Sequence, residues 1–194
     1  MQKVSQKCIK KLLKLNTNMK KFNYSFKMYG YRFLWSIARF IFLLIPNGCF
    51  GAKRILLRAF GARVGIGSKI YSSVKISFPC NLIVGKKTCI GKDVTLYNLE
   101  ELKIGSNVTI SQGAHLCGGS HEYRNTNSAA LMPLIKAKIC INDGVWICSE
   151  AFIGPNVEIG ESAIIGARAV ISKNIPPAVI VAGNPGKIIK ERNA

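Results

Sequence analysis

The chain has 194 residues, enough for one compact domain with an extension, and its 28 Lys and Arg against 9 Asp and Glu give a formal net charge of +19. Such a balance points to an anionic partner, whether a phosphate-bearing cofactor, nucleic acid or a lipid surface, and charge alone does not choose among them. Seven cysteines without a CxxC pair fit a disulfide framework poorly and read as reduced thiols in a cytoplasmic protein.

Residues 1–62 form the first segment, and every charge in it is positive; the first acidic residue of the chain is Asp93. Two stretches, KKFNYSFKMYGYRFLWSIARFIFLLIP and FGAKRILLRAFGARVG, alternate Lys and Arg with aromatic and aliphatic residues. Phe33 to Ile45 is strongly apolar but falls short of the roughly 20 residues needed to cross a bilayer, and it carries Arg39. A long basic stretch precedes it, unlike a secretory signal, so export is not expected. Two readings stand side by side for this helical extension and are compatible: it caps the open end of the fold that follows, or it lies on an anionic membrane surface. Nucleic-acid binding fits poorly, because the basic residues sit in aromatic-rich apolar sequence and no RNA- or DNA-binding module is recognisable.

From residue 63 to 176 the sequence has a period of six. Ile141, Ile147, Ile153, Ile159, Ile165 and Ile171 recur without a break, and Val145, Ala151, Val157, Ala163, Ala169 and Ile175 follow each of them by four positions. Earlier runs are Val64, Ile70, Ile76 and Leu82, then Val84, Ile90, Leu96 and Leu102, then Ile104, Ile110 and Leu116, with two-residue insertions resetting the register. Neither a helix nor a simple hairpin has this period, so short strands must turn at regular intervals into triangular coils that stack. Gly65, Gly85, Gly91, Gly105, Gly154, Gly160 and Gly166 follow the large aliphatic and are expected to serve the corners, along with Asn and Asp.

Between Leu116 and Ile139 the rhythm stops and the sequence reads CGGSHEYRNTNSAALMPLIKAK, a loop excursion over 118–138 of a length at which loops are often functional. Its first turn carries His121, whose side-chain type has a reference pKa of about 6.5 and suits proton transfer near neutrality. The other histidine, His115, reads as structural.

The hexapeptides resemble those of the hexapeptide-repeat acyltransferases. The closest resemblance is to the O-acetyltransferases of colanic acid and exopolysaccharide synthesis and of galactoside and maltose. It implies an all-β solenoid, a left-handed parallel β-helix with an N-terminal helical extension and a short C-terminal tail over 177–194. The left hand comes from the resemblance, since parallel crossovers are ordinarily right-handed. It further implies transfer of an acetyl group from acetyl-CoA to a sugar hydroxyl, with His121 as general base and no metal. The backbone N–H of Ser149, in VWICSEAFIGP, would serve the developing oxyanion. No acyl-enzyme is needed, so the cysteines need not act as nucleophiles.

The same resemblance assigns the CoA groove to Trp146, Ala167 and Ser172 and its phosphate contacts to Lys173, Lys187 and Lys190. The related galactoside enzyme has arginine at the last two positions, so bidentate recognition would be lost there. Asn98 would contact the acceptor, a sugar or lipid-linked saccharide; Tyr97 and Tyr123 could add stacking or a hydrogen bond to it, Tyr123 on the strength of its closeness to His121 alone. A homotrimer with active sites between subunits is implied, in the cytoplasm or peripheral on the inner face of the cell membrane. Alternatives on this fold are a sugar amine as acceptor, a scaffold without catalysis, or a zinc hydratase of the γ-type carbonic anhydrase class, for which two histidines are too few.

Overall fold

The computed structural model describes residues 20–21, 24–123 and 131–192. The interior is set by the period of six: Val64, Ile70 and Ile76 of the first coil are at most 3 % exposed, and the aliphatics stacked above them form one continuous core reaching to Val181. Three parallel faces enclose it. Face I holds Arg63–Val64, Leu82–Val84, Leu102–Ile104, Ile139–Ile141 and Glu158–Ile159. Face II holds Lys69–Ile70, Cys89–Ile90, Thr109–Ile110, Trp146–Ile147, Ile164–Ile165 and Val179–Ala182. Face III holds Lys75–Ile76, Thr95–Tyr97, His115–Cys117, Phe152–Ile153 and Val170–Ile171.

The three edges between these faces are not alike. Each crossing from face I to II, and from II to III, advances the interior aliphatic by 6 residues, as in Ile104, Ile110 and Leu116. On the edge from III to I the step is 8 residues from Ile76 to Val84 and again from Leu96 to Ile104, then 25 from Leu116 to Ile141. Both two-residue insertions and the long excursion thus fall on a single edge.

The glycines serve a different purpose from the one expected. A Cβ on Gly85 would come within 2.5 Å of the Gly105 carbonyl carbon, so it is glycine because backbones stack on one another there. The left-handed corner positions are held mostly by other residues, among them Lys87, Asp93, Asn107 and Glu150, with φ between 53° and 58°. Two polar side chains buried in the coils are bonded to backbone: Ser68 Oγ donates to Gly85 O and Thr88 Oγ1 to Gly105 O, each at 2.7 Å.

Two helices close the first coil. The longer, α1 (Phe26–Leu44), begins at Ser25, whose side chain accepts from the Met28 N–H, and ends at Ile45, where Pro46 holds the preceding residue extended. Its inner side buries Trp35, Ala38 and Phe42, and Trp35 Nε1 donates to Ile76 O at 2.8 Å. The shorter, α2 (Phe50–Ala59), buries Leu57 and Lys53. Lys53 is only 1 % exposed; its ammonium donates to Asn47 Oδ1 at 2.8 Å and lies 5.3 Å from the Phe50 ring centroid and 5.7 Å from that of Phe42. Burial pushes this amine below the ordinary lysine range, with Cys49 opposing the shift. At the other end, Val179–Ala182 pairs in parallel with Ile164–Ile165 and carries the solenoid beyond residue 176, where the tail was expected to begin. Lys187–Glu191 then folds back antiparallel on it.

Candidate active site

The excursion leaves the solenoid at the III–I edge as a hairpin. Gly119–His121 runs antiparallel to Leu134–Lys136, and Lys20–Lys21 joins the outer side of the latter as a third strand. Beneath it lies a small apolar cluster, Phe78 and Leu99 with Tyr24, Tyr31, Tyr97 and Leu134 packed against them. Gly119 is required by this packing, because a Cβ there would meet the Tyr97 ring at 2.5 Å. Lys136 is anchored to Glu100 of the preceding coil at 2.8 Å.

His121 is exposed at the end of its strand, with Nδ1 3.0 Å from the Met132 carbonyl oxygen. A carbonyl only accepts, so this contact puts the proton on Nδ1 and leaves the Nε2 lone pair free to take one. The bond also fixes the plane of the ring. Tyr123, exposed, lies two residues further on.

Asn98 is placed otherwise than expected. It is 1 % exposed; its Oδ1 accepts from the Phe78 N–H at 3.1 Å and its Nδ2 donates to the Phe78 carbonyl at 2.7 Å. In this structure the side chain holds the backbone of the coil below and does not face the open surface. Tyr97, expected to stack on or bond the acceptor, packs instead in the hairpin floor, and Gly119 was missed as its partner there; the paired glycines of CGGSH were the available signal.

The remaining candidates fall into two places. Ser172 and Lys173 are exposed on the same III–I edge, directly after Val170–Ile171. Trp146, half-exposed on face II with Nε1 bonded to Ser111 Oγ at 3.0 Å, lies toward the II–III edge with Ser149 and Ala167. The Arg168 N–H donates to Ser149 O at 3.0 Å, which stacks those two corners. Among the described residues no hydrogen bond uses the Ser149 N–H, although the N–H groups of Cys148, Glu150 and Ala151 all have carbonyl partners. Gln112 stands at the matching corner one coil below, so this edge offers a column of outward corners, and Trp146 marks the level of Ser149. Lys187 and Lys190 are exposed on the folded-back strand over face II. Within one chain, then, His121 and the Ser149 N–H stand on different edges of the prism.

His115 is turned into face III, edge-on to Phe152 at 5.4 Å, and burial followed by the charge of Lys75 lowers its pKa. Burial raises the thiol pKa of both Cys140 and Cys148, which disfavours thiolate chemistry there. An open hollow of about 810 Å³ lies on the I–II edge against Asp143, Glu158 and Glu161, the wrong charge to receive phosphates. Among the described residues no three His, Cys, Asp or Glu side chains are grouped to hold a metal ion. A fixed imidazole base, an unused backbone donor and exposed lysines suit acyl transfer from a phosphate-bearing thioester.

A triangular parallel solenoid with a histidine-bearing hairpin on one edge defines the hexapeptide-repeat acyltransferase class. The comparisons agree. The chain is 35 % identical over 158 residues to a protein of Escherichia coli K12 named colanic acid biosynthesis acetyltransferase WcaF, covering 81 % of this chain and 85 % of the relative. It is 31 % identical over 145 residues to the galactoside O-acetyltransferase of the same strain, covering 73 % and 69 %. Among solved structures, a galactoside acetyltransferase in complex with coenzyme A superposes with a TM-score of 0.81 at 25 % identity, over 89 % of this chain and 86 % of that one. No family model matches the sequence. The chain belongs to the hexapeptide-repeat acetyltransferases, left-handed parallel β-helix enzymes that use acetyl-CoA.

Proposed function

We propose that this chain moves an acetyl group from acetyl-CoA to a sugar hydroxyl in the synthesis of an exopolysaccharide, capsule or O-antigen, with His121 as the general base. The observation that carries this reading is the Nδ1 contact to Met132 O, which presents Nε2 as a proton acceptor on an exposed, rigidly backed strand. The names of the two relatives supply the acceptor class. Acetyl-CoA supplies an activated thioester carbonyl. His121 Nε2 takes the proton of the hydroxyl as its oxygen bonds to that carbonyl carbon, the Ser149 N–H donates to the oxygen on which negative charge develops, and the C–S bond then breaks, the CoA thiolate leaving with the proton returned from His121. Trp146, Ala167 and Ser172 line the pantetheine groove, while Lys173, Lys187 and Lys190 meet phosphates as point charges. Tyr123 reaches the acceptor, a free or lipid-linked saccharide, and Asn98 positions the wall behind it through Phe78.

The separation of His121 from Ser149 favours a homotrimer. A heterologous, ring-closing contact that sets the III–I edge of one copy against the II–III edge of the next unites both groups in each of three sites. The reading places the enzyme in the cytoplasm, at the inner face of the cell membrane.

The test is CoA release and acetylated product from acetyl-CoA with a panel of nucleotide-linked sugars, lipid-linked sugars and amino sugars. Transfer is expected to a hydroxyl and to fall by about 10²–10⁴-fold in His121→Ala. Activity that survives the substitution removes His121 from the mechanism; transfer to an amine replaces the acceptor class; no transfer to any acceptor returns the fold to a scaffold role. For the shared site, His121→Ala and Ser149→Pro chains, each inactive alone, are expected to regain activity when co-expressed.

A further inference from the structure

The helix α1 is apolar on two sides, and only one has a partner. Trp35, Ala38 and Phe42 face the first coil. On the opposite side Phe26, Phe33, Ile37, Phe40, Ile41 and Leu44 recur at helical spacing, 97 % exposed at Phe26 and from 51 % to 67 % at the other five. Isolated exposed apolar residues are ordinary, but six on one stripe of one helix are not.

Charge identifies what covers them. The first 63 residues hold 14 of the chain's 28 Lys and Arg and not one Asp or Glu. Lys27 is exposed on one flank of the stripe, where a long basic side chain can extend to a polar boundary; Arg32, exposed on the other, has its guanidinium 5.0 Å from the Tyr24 ring centroid. A second copy of this helix would bring cations against cations, whereas an anionic lipid surface complements both the apolar stripe and its basic flanks. No helix among the described residues is long and apolar enough to cross a membrane. An apolar stripe with cationic flanks on a non-spanning helix matches an element that lies in the headgroup boundary.

We infer that the outer face of α1 docks this protein onto an anionic lipid bilayer, with Phe26, Phe33, Ile37, Phe40, Ile41 and Leu44 inserted among the acyl chains. The placement has a consequence for the site. Tyr24, just ahead of α1, packs on Phe78 beneath the hairpin, and Lys20–Lys21 is hydrogen-bonded to the hairpin itself. A bilayer that holds α1 therefore holds His121 close to its surface, where a saccharide on a lipid carrier would be presented.

Docking is read without acetyl-CoA or any acceptor, so its failure is separate from failure of the proposed activity. The full chain is sedimented with phosphatidylcholine vesicles and with vesicles containing phosphatidylglycerol, alongside Phe33→Ser/Phe40→Ser, whose side chains lie outside the core. Partition of the wild type is expected to be stronger on the anionic vesicles and to weaken with salt. It is expected to fall by at least about tenfold in the double variant at unchanged circular dichroism and thermal midpoint. A charge-removing check is Lys27→Gln, expected to lower binding to anionic vesicles alone. Equal or absent binding to the two vesicle types overturns the inference, as does unchanged partition of the double variant. So does a wild-type assembly, seen by light scattering, that the double variant dissolves without any vesicle binding, which would assign the stripe to a second copy.

Discussion

In the coils around Ile110, each large aliphatic has one direction in which to hide, and the coils above and below complete its surroundings. Along α1 the same residue types point both ways: Trp35 and Phe42 enter the core, while Phe33 and Phe40 leave it. The contrast separates two reasons for carrying apolar residues. In the solenoid they hold the chain together; on the outer face of α1 they contribute almost nothing to the isolated fold.

Substitutions of similar size should split along that line. Ile110→Ala, in a middle coil and fully buried, is expected to cost about 2–5 kcal/mol in denaturant unfolding. Asn98→Ala removes both buried bonds that this side chain makes to the Phe78 backbone, whose carbonyl keeps its bond from the Asn81 N–H, and is expected to cost about 1–3 kcal/mol by the same measurement. Phe40→Ser should change stability by no more than about 0.5 kcal/mol, although it removes a larger side chain than either.

Lys53 sharpens the comparison at the junction of the two regions. Its folded-state pKa is depressed by burial, so as pH rises the folded chain releases this proton before the unfolded one does. Between the depressed value and the ordinary lysine value of about 10.4, the unfolded state binds more protons and stability rises with pH. Tyr31 acts in the opposite sense, since burial and its contact with Cys80 raise its pKa and the unfolded chain ionises first. The quantity to measure is therefore the difference between Lys53→Met and wild type across the alkaline range. The variant is expected to be as stable or more stable near neutrality, with the advantage shrinking as pH climbs. A constant difference would show that the amine carries no penalty.

Much of this was legible in the sequence because a period of six has one cheap solution: Ile141 to Ile171 dictate which side chains go inside, and the solenoid follows. The place of His121 at the broken rhythm was legible too, on the strand that leaves the solenoid. What was not legible depended on three-dimensional stacking. The two-residue insertions before Val84 and Ile104 look like scattered slips in register, and only the pairing of Val64, Val84 and Ile104 shows them to be on one edge. Gly85 was expected to serve a corner's backbone angles, whereas its need comes from Gly105, 20 residues away. Asn98 presents as a surface polar residue until its bonds to Phe78 are seen, and Val179–Ala182 lacks the hexapeptide rhythm that would have marked it as another strand.

The unequal edges have a consequence for how such a catalyst can change. Where backbones stack at a fixed step of six, an inserted residue would throw every later side chain out of register, so those two edges are frozen. The III–I edge already absorbs steps of 8 and 25 while Ile139–Ile141 still pairs with Leu102–Ile104. It is the one seam along which sequence can be added or replaced without disturbing the frame, and His121 stands on it. New acceptor preferences are therefore to be sought, or grafted, in segments of different length spliced at that seam.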